Sequence, residues 1–169
     1  RDTLEKVLHL EPMPQHISAY SLIVEEGTPF AAMAERGELP LPEEETERAM
    51  YEETIEVLAK YGFHRYEISN YAKEGRECRH NCKYWTRGEY LGMGLGASSQ
   101  MKHARFQNVT DLTSYMEAAD PTLAESRSNL SPKDEIEEFM FLGLRMMKGV
   151  SSQRFLKLFN KNINDVYAE

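Results

Sequence analysis

A helix followed by a strand occurs twice in the first 70 residues, and this order constrains the fold more than any other feature. Residues 15–24 follow an amphipathic opening helix and are β-branched and aromatic, which is typical of a largely buried strand. Residues 42–61 predict a second helix, with Pro42 at its start and Gly62 just past its end. Residues 63–68 then predict another strand. The order favours an α/β fold, built as a sheet or a barrel.

The middle of the chain has weaker signals. Residues 100–109 have weak strand character, and residues 112–119 predict a short helix that Asp120-Pro121 ends. The polar residues 124–129 are typical of a linker. This stretch therefore predicts the end of the α/β region.

Beyond the predicted linker the pattern is entirely helical. Ser131 is a good N-cap for a helix that we expect to end at Gly149, and Ser151 caps the next one. The change of character predicts a domain boundary near residue 125. We therefore expect two parts, residues 1–124 and residues 125–169.

Charge and composition exclude several function classes. The net charge of -8 repels phosphate backbones, so we expect no nucleic-acid partner. The apolar runs are too short to span a membrane, and no secretion signal opens the chain. Two cysteines, Cys78 and Cys82, fit a reducing cytoplasm. The chain starts without methionine and inside a helical pattern, so we expect it to be a piece of a longer protein.

The hexapeptide His-Asn-Cys-Lys-Tyr-Trp at residues 80–85 is the most informative chemical motif. A histidine imidazole or a thiolate can ligate a haem iron, and aromatic faces can pack on a porphyrin. The motif lies just before the glycine-dense residues 92–96, which favours a site on a turn rather than on a core helix. The alternative is structural: His80 and Trp85 would only pin a loop by packing.

Two other patterns are less specific. Cys78 and Cys82 alone cannot hold a four-iron cluster or a tetrahedral zinc ion. The run Gly-x-Gly-x-Gly at residues 92–96 lacks the spacing of a dinucleotide site and predicts a tight turn, with close approach to a flat ligand as the alternative. The residues alone thus indicate an α/β fragment with an appended helical domain and one aromatic-rich site, and they fix no reaction.

Several segments taken together identify a protein family more specifically than any single motif does. In their order and spelling, they resemble the oxygen-independent coproporphyrinogen III oxidase-like family, and within it the haem chaperone branch, whose mark is His-Asn-x-x-Tyr-Trp. The segments that carry the resemblance are residues 16–22, 26–29, 66–72, 80–85 and 90–97. The resemblance implies the last part of a partial (β/α) barrel of the radical S-adenosylmethionine type. It also implies that the family's small C-terminal helical domain starts at about Leu130.

The resemblance also implies cofactors and site residues. The family uses S-adenosylmethionine and a 4Fe-4S cluster, but its Cys-x3-Cys-x2-Cys ligands are absent here, so this chain alone is expected to be inactive and no catalytic residue is predicted in it. The haem-binding motif falls on four residues, with His80 as the expected iron ligand. Four further residues are expected on the S-adenosylmethionine or substrate side. These two sets are His80, Asn81, Tyr84 and Trp85 for haem, and Ser21, Ile23, Gly92 and Gly94 for the other side.

The chain departs from the family's pattern at one position, and the resemblance leaves two functions open. Many members have a histidine after the glycine run, where this chain has Ser98 following Ala97, which argues against ligation by two histidines. The family resemblance implies a carrier that binds haem and delivers it to an acceptor protein. The alternative is an oxidase that decarboxylates coproporphyrinogen III to protoporphyrinogen IX by a radical route. A broken barrel exposes strand edges, so we expect the isolated chain to form dimers or aggregates.

Overall fold

The computed structural model describes residues 1–118 and 124–167. The helices are α1 (Asp2–Leu8), α2 (Pro29–Glu35), α3 (Glu44–Lys60), α4 (Arg79–Trp85), α5 (Leu112–Glu117), α6 (Pro132–Gly143), α7 (Ser152–Phe159) and α8 (Ile163–Tyr167). The strands are β1 (His16–Ser18), β2 (His64–Arg65), β3 (Asn70–Ala72), β4 (Ser98–Met101), β5 (Ala104–Asn108) and β6 (Ala124–Asn129). Among the described residues, no helix has the length and apolar character needed to cross a lipid bilayer. The chain divides into two compact units, Arg1–Glu77 and Cys78–Glu169, which are described separately.

The first unit is built around helix α3 and a small antiparallel sheet of order β1-β3-β2. Glutamates fill the first turn of α3 and Lys60 lies in its last turn, and both complement the helix dipole. Leu58, on the apolar side of α3, is fully buried. It lies in one core with Leu8 of α1, with Phe63 and with Tyr71 of β3. The predicted helix at residues 42–61 is thus confirmed as α3.

The predicted strand at residues 15–24 is mostly wrong. Only β1 forms, because His16 to Ser18 pair with β3 and, within the described residues, the chain after Ala19 has no strand partner. The large side chains that follow, Tyr20, Leu22 and Ile23, are 65%, 55% and 75% exposed instead of buried.

The predicted strand at residues 63–68 is likewise shorter than expected, and it shrinks to the two residues of β2. Strand β3, which follows it, was not predicted. It is the central strand of the sheet and all three of its residues are buried.

The second unit contains an antiparallel meander of order β4-β5-β6. The predicted linker at residues 124–129 is wrong, because this segment is strand β6 and pairs along the whole of β5, with an irregularity at Gln107 and Asn108. A polar strand is compatible with this position, since β6 is an edge strand stabilised by backbone hydrogen bonds. Helix α5 confirms the prediction for residues 112–117, whereas Asp120-Pro121 lies outside the described residues.

Helices α6 and α7 meet at an aromatic cluster. Both predicted caps are confirmed: Ser131 forms a capping box with Asp134, and the Ser151 side chain accepts from the backbone of α7. Phe139 of α6 packs edge-on against Phe155 and Phe159 of α7, with ring centroids 5.5 and 5.6 Å away.

The predicted end of the first of these helices at Gly149 is wrong, because α6 stops at Gly143. The chain then folds back so tightly that a Cβ at Gly143 would lie 2.5 Å from the Val150 side chain. The segment between them closes at Gly149, which has a positive φ of 65°. A turn within residues 144–149 therefore separates α6 from α7.

Candidate functional site

The hexapeptide at residues 80–85 lies on helix α4, so the prediction of a turn is wrong. Cys78 is the N-cap, and the backbone N–H groups of Cys82 and Thr86 donate 3.0 Å bonds to the carbonyls four residues earlier. The helix ends at Trp85 with Thr86 as its C-cap, and Arg87, the next residue, has a positive φ of 51°. Because the segment is helical, its side chains point to different sides instead of converging on one loop.

His80 and Tyr84 are one helical turn apart on α4 and contact each other directly. The Oη atom of Tyr84 lies 2.8 Å from Nε2 of His80, within hydrogen-bond distance. The two rings meet edge to face with centroids 4.7 Å apart, while the His80 side chain remains exposed. The i, i+4 spacing is what places these two side chains on the same face.

Tyr90 extends this pair into a row of three aromatic rings. Its ring meets Tyr84 edge to face, with centroids 4.5 Å apart at 87°. Two 2.9 Å backbone hydrogen bonds join Tyr90 to Gln100 of β4 and fix its position. Burial raises the pKa of Tyr90, so its phenol stays protonated.

The row of rings borders an open groove of about 430 Å³. Its lining is mostly aromatic and apolar and consists of His80, Tyr84, Tyr90, Leu91, Gly92, Met93, Ala97 and Ser98. A groove of this size and character, with a few polar atoms, is typical of a small-molecule site. The His80 imidazole, the phenols of Tyr84 and Tyr90 and the Met93 thioether are side chains of this lining whose types can ligate a haem iron.

The glycine run is confirmed as a tight turn, and its first two residues, Gly92 and Met93, form one wall of the groove. A Cβ at Gly92 would lie only 2.3 Å from the Ser98 carbonyl oxygen, so only glycine permits this backbone approach. The buried side chain of Asn108 donates a 2.8 Å hydrogen bond to the Gly94 carbonyl. The Ser99 hydroxyl accepts a 2.9 Å bond from the Gly92 N–H. The wall is therefore held by polar side chains of β4 and β5.

Trp85 does not join His80 and Tyr84. It lines a separate cavity with Phe139, Val150 and other residues of the C-terminal helices. The guanidinium carbon of Arg145 lies 4.3 Å from the centroid of its ring, a close cation–π contact. Its Nε1 is buried and has no hydrogen-bond acceptor among the described residues. For Trp85 the structure therefore favours the packing alternative.

A partly buried ion network fixes Arg87, just after the end of α4, and the sequence did not reveal it. Glu138 of α6 accepts a 3.0 Å hydrogen bond from Arg87 and forms a 3.0 Å ion pair with Arg105 of β5. Glu135 lies 3.4 Å from Arg87 and 2.7 Å from His103. The only signal in the sequence is that Glu138 interrupts an apolar stripe.

The residues predicted on the S-adenosylmethionine side fall into the two units. Ser21 and Ile23 belong to the first unit, where both are exposed and Ser21 lines a largely apolar cavity beside Leu41 and Met50. Gly92 and Gly94 belong to the second, and Gly92 lines the groove. Their role remains a prediction.

A buried polar cluster in the first unit was also missed by sequence reasoning. The carboxylate of Glu67, with no exposed surface, accepts a 2.5 Å bond from Asn70 and a 2.8 Å bond from the Ser69 N–H. His16 lies 2.9 Å from the Tyr66 hydroxyl beside it. Burial lowers the pKa of His16, against the opposing pull of the Glu67 charge.

Comparisons with known proteins show which proteins the chain resembles. Residues 130–169 match the family model of the HemN C-terminal domain. Over its whole length the chain is 39% identical to the haem chaperone HemW of Lactococcus lactis, and over 90% of its length it is 37% identical to HemW of Bacillus subtilis. The chain belongs to the oxygen-independent coproporphyrinogen III oxidase-like family. It matches the C-terminal part of the family's members and falls with the haem chaperones among them.

The similarity covers less than half of each relative. The chain spans 44% of the Lactococcus protein and 41% of the Bacillus protein. Among solved structures it resembles coproporphyrinogen III oxidase (HemN) from Escherichia coli, described as a radical SAM enzyme, with a TM-score of 0.73 and 19% identity over 99% of this chain and 41% of that one. This likeness confirms the predicted fold class of the HemN-like family. The domain boundary near residue 125 stays a prediction.

Proposed function

We propose that this chain is the haem-binding part of a haem chaperone, which binds haem and delivers it to acceptor proteins. The observation that carries the proposal is the contact between His80 and Tyr84 in an open aromatic groove. The relatives named haem chaperones, 37–39% identical to the chain, support the same function.

The residues of the groove fit a haem. The porphyrin is a flat and largely apolar ring, and Tyr90, Leu91 and Met93 offer it aromatic and aliphatic surface. Met93 is 88% exposed, which leaves room for a ligand to cover it. The iron would meet the His80–Tyr84 pair, where two potential ligand atoms, Nε2 of His80 and Oη of Tyr84, lie 2.8 Å apart. Asn81 and Trp85 remain predicted members of the site.

A haem titration of the full-length protein, followed by its Soret band, tests the proposal. The double variant His80→Ala/Tyr84→Phe should lose the shifted Soret band of the wild type, and His80→Ala alone should weaken it. The control is His9→Ala, which removes an exposed histidine outside the groove. Equal haem binding by the wild type and the double variant would contradict the proposal.

The fold of the Escherichia coli oxidase supports one alternative function, the decarboxylation of coproporphyrinogen III. Incubation of the full-length protein with coproporphyrinogen III, S-adenosylmethionine and a reductant separates the two. A chaperone should yield no protoporphyrinogen IX, whereas the oxidase should yield it in repeated turnovers.

Two cofactors belong to the full-length protein in this proposal. S-adenosylmethionine and a 4Fe-4S cluster are expected from the radical S-adenosylmethionine family, but the family's cluster-binding cysteines are not in this chain. Ser21, Ile23, Gly92 and Gly94 are proposed to lie on the side of S-adenosylmethionine or of the substrate. The cytoplasm is the proposed compartment, where the thiols of Cys78 and Cys82 stay reduced.

Self-association of the isolated chain is also proposed. Tyr20, Leu22 and Ile23 expose a run of apolar surface beside an edge strand of the first unit. Light scattering of the 169-residue chain should show dimers or larger species. A monomer at high concentration would contradict this expectation.

A further inference from the structure

We infer that the iron ligand of this site is the phenol oxygen of Tyr84 and that His80 acts as its hydrogen-bond partner, so the site takes ferric haem. The inference rests on the proposed haem-binding function. It differs from the expectation drawn from the sequence, in which His80 ligates the iron and Tyr84 only packs.

The geometry of the pair distinguishes the two atoms. Each imidazole nitrogen makes one hydrogen bond or metal bond, as donor or acceptor according to the tautomer, and Tyr84 at 2.8 Å is the partner of Nε2 of His80. A phenol oxygen has two lone pairs as well as its hydrogen. Tyr84 can therefore bind iron and keep its contact with His80, whereas ligation through Nε2 of His80 would break that contact.

The surroundings hold Tyr84 in this position. Its ring is flanked by His80 on one side and Tyr90 on the other, with centroids 4.7 and 4.5 Å away. Tyr90 is itself fixed to Gln100 by two backbone hydrogen bonds. The phenol oxygen is thus oriented before any ligand arrives, and less side-chain entropy is lost on binding.

The proton that Tyr84 releases on ligation stays within the His80–Tyr84 pair. The O–H bond of Tyr84 breaks and its proton passes to Nε2 of His80, where an N–H bond forms. The phenolate oxygen donates an electron pair to the iron, and the imidazolium N–H donates a hydrogen bond back to that oxygen. No electron is transferred, so the iron keeps its oxidation state.

The type of iron ligand determines which form of haem the site binds most tightly. An anionic oxygen donor favours the more highly charged ferric iron over ferrous iron, and tyrosine is one of the proximal ligands that proteins use for haem iron. A porphyrin without iron gains nothing from the pair. The expected order of affinity is therefore ferric haem, then ferrous haem, then metal-free protoporphyrin IX.

Absorption and resonance Raman spectra of the full-length protein loaded with ferric haem test the inference. Wild type should show the charge-transfer band and the iron–phenolate vibration of a tyrosine-ligated haem. Tyr84→Phe, which keeps the ring, should lose both and bind ferric haem at least tenfold more weakly. His80→Ala should keep both signals with reduced affinity. The control Tyr115→Phe on α5, outside the residues that line the groove, should match the wild type, and circular dichroism should confirm that each variant is folded.

The outcomes separate this inference from the function on which it rests. Haem bound by the wild type without phenolate signals, or phenolate signals that survive in Tyr84→Phe, would overturn the inference and leave the chaperone proposal standing. No haem binding by the wild type would overturn both. Tighter binding of ferrous haem or of protoporphyrin IX than of ferric haem would also overturn the inference.

Discussion

The side-chain amide of Asn108 donates a 2.8 Å hydrogen bond to the carbonyl of Gly94, and so ties strand β5 to the glycine wall of the groove. Asn108 is almost fully buried, at 2% exposure, and removal of its amide leaves that carbonyl only the longer 3.3 Å bond from the Ala97 N–H. Asn108→Ala should lower the free energy of unfolding by about 2 kcal/mol. It should also weaken haem binding several-fold, because the turn that it holds includes Gly92.

Urea denaturation and a haem titration measure the two effects. The control is Gln107→Ala, because Gln107 is only partly buried and donates a 3.1 Å bond to the carbonyl of Gly96 in the same turn. Its loss should be about 1 kcal/mol or less. If both variants lost the same stability, the turn would not depend on Asn108 in the way described.

Glu138 is a carboxylate shared by two arginines. Its side chain is 11% exposed and that of Arg87 is 9% exposed, so Glu138→Gln removes the nearer counter-charge of a buried guanidinium and leaves it only Glu135, 3.4 Å away. We expect the free energy of unfolding to fall by about 3 kcal/mol in chemical denaturation. The matched control is Glu137→Gln on the same helix. Its ion pair with Lys133 is exposed and should contribute about 0.5 kcal/mol or less.

Phe155 is the centre of the aromatic cluster between α6 and α7 and has no exposed surface. Phe155→Ala removes a ring that packs against Phe139 and Phe159 and leaves a cavity. The expected loss is about 4 kcal/mol of unfolding free energy, seen as a lower thermal midpoint. Leu158→Ala on the same helix removes a side chain that is 52% exposed. A comparable loss there would contradict the assignment of the core.

His16 makes the stability of the first unit depend on pH. Burial lowers its pKa in the folded state below the ordinary value of 6.5, so the unfolded chain binds the proton more readily. The stabilisation is fully present above pH 6.5 and is lost as the pH falls through the lower pKa of the folded state. The variant His16→Gln, which can still reach the Tyr66 hydroxyl, should remove this component. Urea unfolding of both proteins between pH 5 and pH 8 should show a wild-type curve that rises more steeply with pH, and parallel curves would refute the prediction.

The sequence predicted those parts of the fold that have local signals. Helix α3 is bounded by Pro42 and Gly62, and α6 begins at the capping box of Ser131, so a few neighbouring residues specify each of them. The strands were predicted less well because their partners are remote. His16 pairs with Ala72, 56 positions away, and nothing in the local pattern shows where that pairing ends.

The same distinction applies to the site. Sequence reasoning found His80 and Tyr84, and their spacing of four residues already allows contact on a helix. It placed them on a turn, and it grouped Trp85 with them because the family motif includes all three residues. Asn108 and Glu138 were missed because their roles depend on residues from other strands and helices. The family resemblance supplied the overall fold that the local patterns could not.

Trp85 is the only tryptophan of the chain, and it lies against the C-terminal helices with Arg145 over its ring. Its intrinsic fluorescence is therefore an optical reporter of how α6 and α7 are seated, and not of the groove that His80 and Tyr84 line. A haem in that groove would quench this emission by energy transfer. A loosened helical domain would expose Trp85 to water and shift its emission maximum to longer wavelength. The two events can thus be told apart with a single native fluorophore and no added label.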